Sequence, residues 1–331
     1  MTSLSFNKTG YDPFIDFLKA FSIFCVILAH NLPTSLWNYC QFRLWAGTQV
    51  SMFILIQVFH AYKKEKRPTI KWASLLKRIV LPFVFVQIVI LLFRSLFACS
   101  FREALIGSIK MGGYGPGSYY FWIYLQMAII FVLIWPLVKK LTLSQLTLVF
   151  LLFSVGCEVL FSVINLPDAV YRLLAVRYVF LIPLAYGWVK QGVVLNVKSI
   201  ALSLISIAAV VFFSYNETNL EPFFYNTGWT THRWICYFYI PVLLTYLLWL
   251  LFNRMRNVNW VSSIVKELAR SSYEIFCVQM LVFVVLPITR FTFIQSTLVR
   301  VPVWMILTFA LSVVGGVSFN RLLQKVFVVQ R

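Results

Sequence analysis

Ten apolar runs, each about 17 to 25 residues long, follow one another along this chain with only short polar connections between them. No other feature limits the fold as strongly. Inside a hydrocarbon layer every backbone amide needs a partner within the protein, which leaves such runs to be spanning helices. They occupy approximately residues 13–30, 44–62, 73–97, 119–138, 144–164, 171–189, 193–214, 234–252, 268–289 and 301–327. A composition 61% hydrophobic and only 12% charged excludes a water-soluble globule of 331 residues. The expected fold is all-α: a polytopic membrane protein, residues 1–331 forming one bundle of about ten transmembrane helices with no soluble domain appended. The first twelve residues are polar and lead straight into a spanning helix, so that helix is expected to serve as the targeting signal.

A formal net charge of +19 invites a nucleic-acid reading, but basic residues gathered in short loops between apolar runs are what membrane topology produces. Of the 29 lysines and arginines, 19 fall on one side of the expected bundle, among them Lys63, Lys64, Lys66, Arg67, Lys71, Lys77 and Arg78. The positive-inside bias then places both termini in the cytoplasm and the end of the first helix near the outer face.

That first run, DPFIDFLKAFSIFCVILAH over residues 12–30, opens on Asp12 and Pro13, a sound helix start, and carries Lys19 in its body and His30 at its end. Eleven residues at about 100° each bring the two side chains to nearly one angle, roughly 16 Å apart along the axis. Ionisable groups at that depth face a bundle interior or a watery cavity and mark function; a snorkelling lysine and an interfacial histidine are the plainer alternative.

A basic residue, ten intervening residues and a histidine in the first helix resembles the signature of the membrane acyltransferase 3 family, whose members O-acylate surface glycans. Further stretches match in order: GTQVSMFILIQVFHAYKK (47–64) looks like the family's second helix, KRIVLPF (77–83) the basic-then-proline entry to the third, GPGSYYFWIYLQ (115–126) the aromatic start of the fourth, and ARSSYEIFCVQ (269–279) the late Ser-Tyr stretch. The resemblance implies an O-acyltransferase, most simply an O-acetyltransferase, of a bacterial inner (plasma) membrane. Its donor would be acetyl-CoA or another acyl-CoA, its acceptor a surface polysaccharide or lipid-linked saccharide, its surroundings membrane lipids, with neither metal nor nucleic acid involved.

On that reading the nucleotide end of the donor is cytoplasmic and its thioester travels outward through a passage shared by Lys19 and His30. Lys19 meets phosphate or the upper pantetheine arm, with Lys77, Arg78 and Lys71 gripping the nucleotide. Relatives often show two arginines spaced by two residues where this chain has adjacent Lys77 and Arg78. His30 acts as general base on the sugar hydroxyl; a covalent acyl-histidine is the rival. Topology-setting and headgroup contact remain the ordinary roles of any single basic residue at a helix end.

Glu158 and Arg177 lie nine residues before and ten after Pro167, so on antiparallel neighbours they reach similar depth, either as a structural ion pair or as acceptor-binding groups. His60 and His232 read as interfacial, with no metal-ligand spacing to another His, Cys or acid. Where many relatives carry a histidine after the Ser-Tyr stretch this chain has Gln279, which cannot be an acid or base. GGYGPGSYY (112–120) lacks the phosphate-loop pattern and is expected to form a tight turn re-entering the membrane under cover of protein. The aromatic loop 214–231 supplies belt residues or, at Trp229, a stacking face for carbohydrate. The six cysteines show no paired spacing, though Cys40 and Cys99 both sit by outer loops. A membrane carrier of a lipid-linked glycan or acyl substrate is the alternative from another class, since buried charge in a helical bundle suits transport equally.

Overall fold

The computed structural model describes residues 2–4, 6–7, 11–33, 36, 39–45, 49–215 and 239–327. Asp12 caps helix α1 (Pro13–Asn31), its carboxylate accepting from the amides of Phe14 at 2.9 Å and Ile15 at 3.4 Å, while Pro13 takes a first-turn position where a missing N–H costs nothing. Apolar residues recur on all sides of α1, which suits a helix surrounded by others. It packs against α2 (Gln49–Tyr62), α10 (Ile240–Met255), α11 (Asn259–Arg270), α12 (Ser272–Val285) and α13 (Thr297–Phe327). Between α2 and α10 the chain forms α3 (Trp72–Phe97), α4 (Phe101–Met111), α5 (Tyr119–Leu133), α6 (Trp135–Lys140), α7 (Leu143–Val163), α8 (Leu181–Gln191) and α9 (Val197–Tyr215).

Among the described residues four helices are long and apolar enough to cross a membrane: α1, α3, most of α7, and α13. A fifth crossing arises if α11 and α12, bent by 71° at Ser271, count as one broken span. The helices at residues 49–62, 119–133, 197–212 and 240–255 are apolar but shorter. Large apolar side chains lie bare along α3 (Phe85, Ile88, Leu92, Leu96) and α7 (Leu148, Leu152, Phe153, Leu160), a surface only a hydrocarbon solvent tolerates. The chain is therefore an integral membrane protein with an almost wholly helical fold.

Several expectations are corrected. The fold is all-α apart from one short ladder that was not expected: Thr2–Leu4 pairs antiparallel with Val193–Leu195, Ser3 opposite Val194. Gly192, at φ 73°, ends α8, and the β-branched pair Val193–Val194 extends instead of starting the expected span at 193. Asn196 then opens α9 by exchanging hydrogen bonds with Ser199. The expected span 171–189 shrinks to α8, preceded by a single turn at Asp168–Tyr171 and a 3-10 turn at Ala175–Tyr178. The connection after α3 is helical, α4 being started by a reciprocal Ser100–Glu103 cap.

Among the described residues two helices carry a π turn next to a proline. In α3 the turn spans Leu76–Val80: Pro82 has no N–H, Leu81 reaches back to the Leu76 carbonyl, and the Tyr273 hydroxyl donates to the Ile79 carbonyl at 2.9 Å. In α10 the turn at Ile240–Leu244 contains Pro241, whose carbonyl accepts from Trp188 Nε1 at 3.0 Å. Irregular backbone at depth is thus satisfied by neighbouring side chains.

The glycine-rich stretch before α5 does turn back into the protein. Gln87 on α3 holds the Tyr114 backbone on both sides, accepting from its N–H at 2.7 Å and donating to its carbonyl at 3.0 Å. Gly115 has φ 91°, and a Cβ there would stand 2.6 Å from Met280 Cβ and 2.9 Å from its backbone. Gly115→Ala is expected to cost about 2–4 kcal/mol. Gly156→Ala, whose Cβ would meet nothing within 4 Å, serves as control. Thermal unfolding in detergent checks the pair, and equal stability would refute the packing argument.

Candidate active site

A cavity of about 650 Å³ opens between α1, α2, α3, α5 and α12. Helix α2 contributes a stripe at helical spacing, Val50, Phe53, Gln57, His60 and Ala61, and the loop after it adds Lys64, Lys66, Arg67 and Lys71. Tyr120, Tyr124 and Phe131 come from α5, Ser272, Tyr273 and Phe276 from α12. Six cations line it, namely Lys19, Lys64, Lys66, Arg67, Lys71 and Arg78, and no carboxylate appears among its lining residues. Glu65, the one acid in the basic loop, is drawn away by Lys190 at 2.6 Å. The charge is graded: cations crowd the mouth, while Val26, Val50, Phe53, Tyr120 and Phe276 make the interior apolar and aromatic.

Lys19 faces this cavity with its ammonium 3.3 Å from Asp16, one turn before it on α1. Asp16 also takes a hydrogen bond from Tyr11, just outside the helix. Burial, assisted by Asp16 and Asp12, pushes the Tyr11 phenol up to about 12, so it remains a donor at neutral pH. Lys19 is therefore a positioned cation with a local counter-charge, which the sequence reading did not include.

The structure gathers Lys19, Lys71 and Arg78 around one space. Lys77 is exposed and outside the lining, because adjacent residues on a helix diverge by about 100°. His60, read as interfacial, lines the cavity within electrostatic reach of Lys19. The signal for it was present: Gln57 and His60 are polar positions three apart on one face of a mostly apolar helix, with Lys64 following one turn on.

His30 stands beyond the inner end. The last α1 residue in the lining is Val26, one turn short of it, and the exposed His30 ring lies edge-on to Phe283 of α12, centroids 6.0 Å apart. The continuous passage expected from Lys19 to His30 thus ends in the structure at the level of Val26.

Glu158 and Arg177 come together, but away from this cavity and through an intermediary. Tyr171 donates its hydroxyl to Glu158, while the buried Arg177 guanidinium sits 5.1 Å over the Tyr171 ring and 5.0 Å over Tyr178. This arrangement braces the irregular segment before α8. Tyr171→Phe is expected to lower thermal stability in detergent while leaving the KM for any ligand of the cavity unchanged; a raised KM would make the cluster part of the site. Trp229 lies outside the described residues. Among those residues no group of three or more His, Cys, Asp or Glu side chains is arranged to hold a metal ion.

A polyanion with a slender neutral arm is complementary to such a cavity: its phosphates meet the cations and its arm the apolar interior. Residues 12–320 match a family model described as an acyltransferase domain. No curated protein and no solved structure matches the chain.

Proposed function

Because the chain belongs to the acyltransferase 3 family of membrane enzymes, we propose that it transfers an acyl group, acetyl in the first instance, from cytoplasmic acyl-CoA to a hydroxyl of a surface polysaccharide or its lipid-linked precursor. The observation that carries this reading is the graded cavity, with six cations at and below its mouth and an aromatic interior. Coenzyme A has the same division of character, phosphates at one end and an uncharged pantetheine arm at the other.

In this reading Lys64, Lys66, Arg67, Lys71 and Arg78 hold the phosphates, Lys77 adds charge outside the cavity, and Lys19 meets the upper arm. The thioester then lies toward Val26, below His30. A sugar hydroxyl arriving from the His30 end loses its proton to the imidazole as its oxygen attacks the thioester carbon. The carbon–sulfur bond breaks, and the departing thiolate takes the proton back from His30. The product is an O-acyl ester and free coenzyme A, with His30 restored.

The matching topology has ten spans, both termini in the cytoplasm and the basic mouth facing the coenzyme pool of a bacterial inner membrane, as the distribution of lysine and arginine favours. Helices of 11 to 15 residues cross such a layer only in company with the irregular segments attached to them. Mass spectrometry of surface glycans from cells with and without the chain tests the function. Loss of one acyl mass on removal supports it and identifies both acyl group and acceptor; unchanged glycans refute it.

A further inference from the structure

Gln279 sits in the middle of α12 with 0% of its surface exposed, and neither its Oε1 nor its Nε2 finds a hydrogen-bond partner among the described residues. A buried primary amide with both ends unanswered works against folding, and an apolar side chain of the same shape would be the more stable choice. Its location shows what it is for. Helices α1 and α12 run side by side in the same direction: Lys19 and Ser272 both line the cavity, and eleven residues further along each, His30 meets Phe283. Seven residues from the lower end of this register, α1 has reached Val26, the inner limit of the cavity, and α12 has reached Gln279. Helical spacing puts Gln279 on the same stripe as Ser272, Phe276 and Phe283, the stripe that faces the cavity and then His30.

Other amides nearby are committed at one end or both, Gln57 Oε1 and Asn31 Nδ2 being the atoms left unanswered. Gln57 in the cavity wall donates to the Tyr124 carbonyl, Asn31 turns toward Thr308 on α13, and Gln87 holds Tyr114. Gln279 lies just past the cavity lining, which ends on α12 at Phe276, and has both amide functions unanswered next to where an arm entering from the basic mouth ends.

We propose that Gln279 contacts the substrate directly, its Nε2 donating a hydrogen bond to the thioester carbonyl oxygen of the bound acyl donor. This rests on the acyl-CoA reading above. The carbonyl oxygen gains negative charge when the acceptor hydroxyl adds to the carbon, so the hydrogen bond strengthens as the tetrahedral intermediate forms and weakens again when the carbon–sulfur bond breaks. The amide exchanges no proton, which suits a side chain with no acid or base function.

The test uses the full-length protein in detergent with acetyl-CoA labelled with ¹³C at the thioester carbonyl. Infrared difference spectra of the bound donor are expected to show the labelled carbonyl band lowered by the wild type and returned to its free position in Gln279→Met. The variant should unfold at the same temperature as the wild type or higher, keep its KM for acetyl-CoA, and lose about 10²- to 10³-fold in kcat. A wild-type band at the free position overturns the proposal without reference to any variant. So does a Gln279→Met enzyme with unchanged band and kcat, and in both cases the acyl-CoA reading stands. Failure of the wild type to bind acetyl-CoA removes that reading and this proposal with it.

Discussion

His30→Ala is expected to reduce acyl transfer by about 10²- to 10⁴-fold, the range that a positioned general base contributes. The KM for acyl-CoA should be unchanged, since the cavity lining ends at Val26, a full turn before His30. Release of coenzyme A thiol in membranes containing the glycan acceptor, at matched protein levels, measures both quantities. Retained activity would remove His30 from the mechanism and turn attention to His60, the histidine that does line the cavity. The rival, a covalent acyl-histidine, makes a separate prediction: labelled donor mixed with enzyme before acceptor would leave label on the protein, and His30→Ala would abolish it.

Replacing Lys66, Arg67 and Lys71 together by glutamine is expected to raise the KM for acyl-CoA by about 10- to 100-fold with little change in kcat. The estimate takes about 1.5–3 kcal/mol in total from the lost charge-assisted contacts, at 1.4 kcal/mol per tenfold. These three side chains are exposed at the mouth, so the bundle does not depend on them. Added salt should raise the KM of the wild type more than that of the triple variant, because screening removes an attraction the variant no longer has. Lys77→Gln is the internal control: exposed and outside the lining, it should shift KM by less than any one of the three. An unaltered KM in the triple variant would overturn the assignment of the mouth to phosphate.

The long helices were legible because their signals are continuous. The Asp12–Pro13 start sets α1 to the residue, and the expected 73–97, 144–164 and 301–327 agree with α3, α7 and α13 within a few positions. Hydropathy could not show where a span breaks. The 71° bend at Ser271 and the turns before α8 depend on tertiary partners, Asn320 donating to Ser271 in the first case and Tyr171 standing between Glu158 and Arg177 in the second. At the site, the expected grouping of Lys19, Lys71 and Arg78 agrees with the structure only in that all three line one cavity. Spacing did not separate Arg78 from Lys77, because which of two neighbours faces inward depends on how α3 is rotated. Gln279 was legible only as a residue without acid or base chemistry; its burial without partners is a property of three dimensions.

The strand pair Thr2–Leu4 and Val193–Leu195 has a consequence for how the molecule is made. Helices close their own hydrogen bonds as they leave the ribosome, but this ladder joins Thr2–Leu4 to Val193–Leu195, segments far apart in the chain. Its first half must wait, amides solvated, while the intervening helices are threaded into the bilayer. The stitch between α8 and α9 then closes late, once the helices between its two halves are in place.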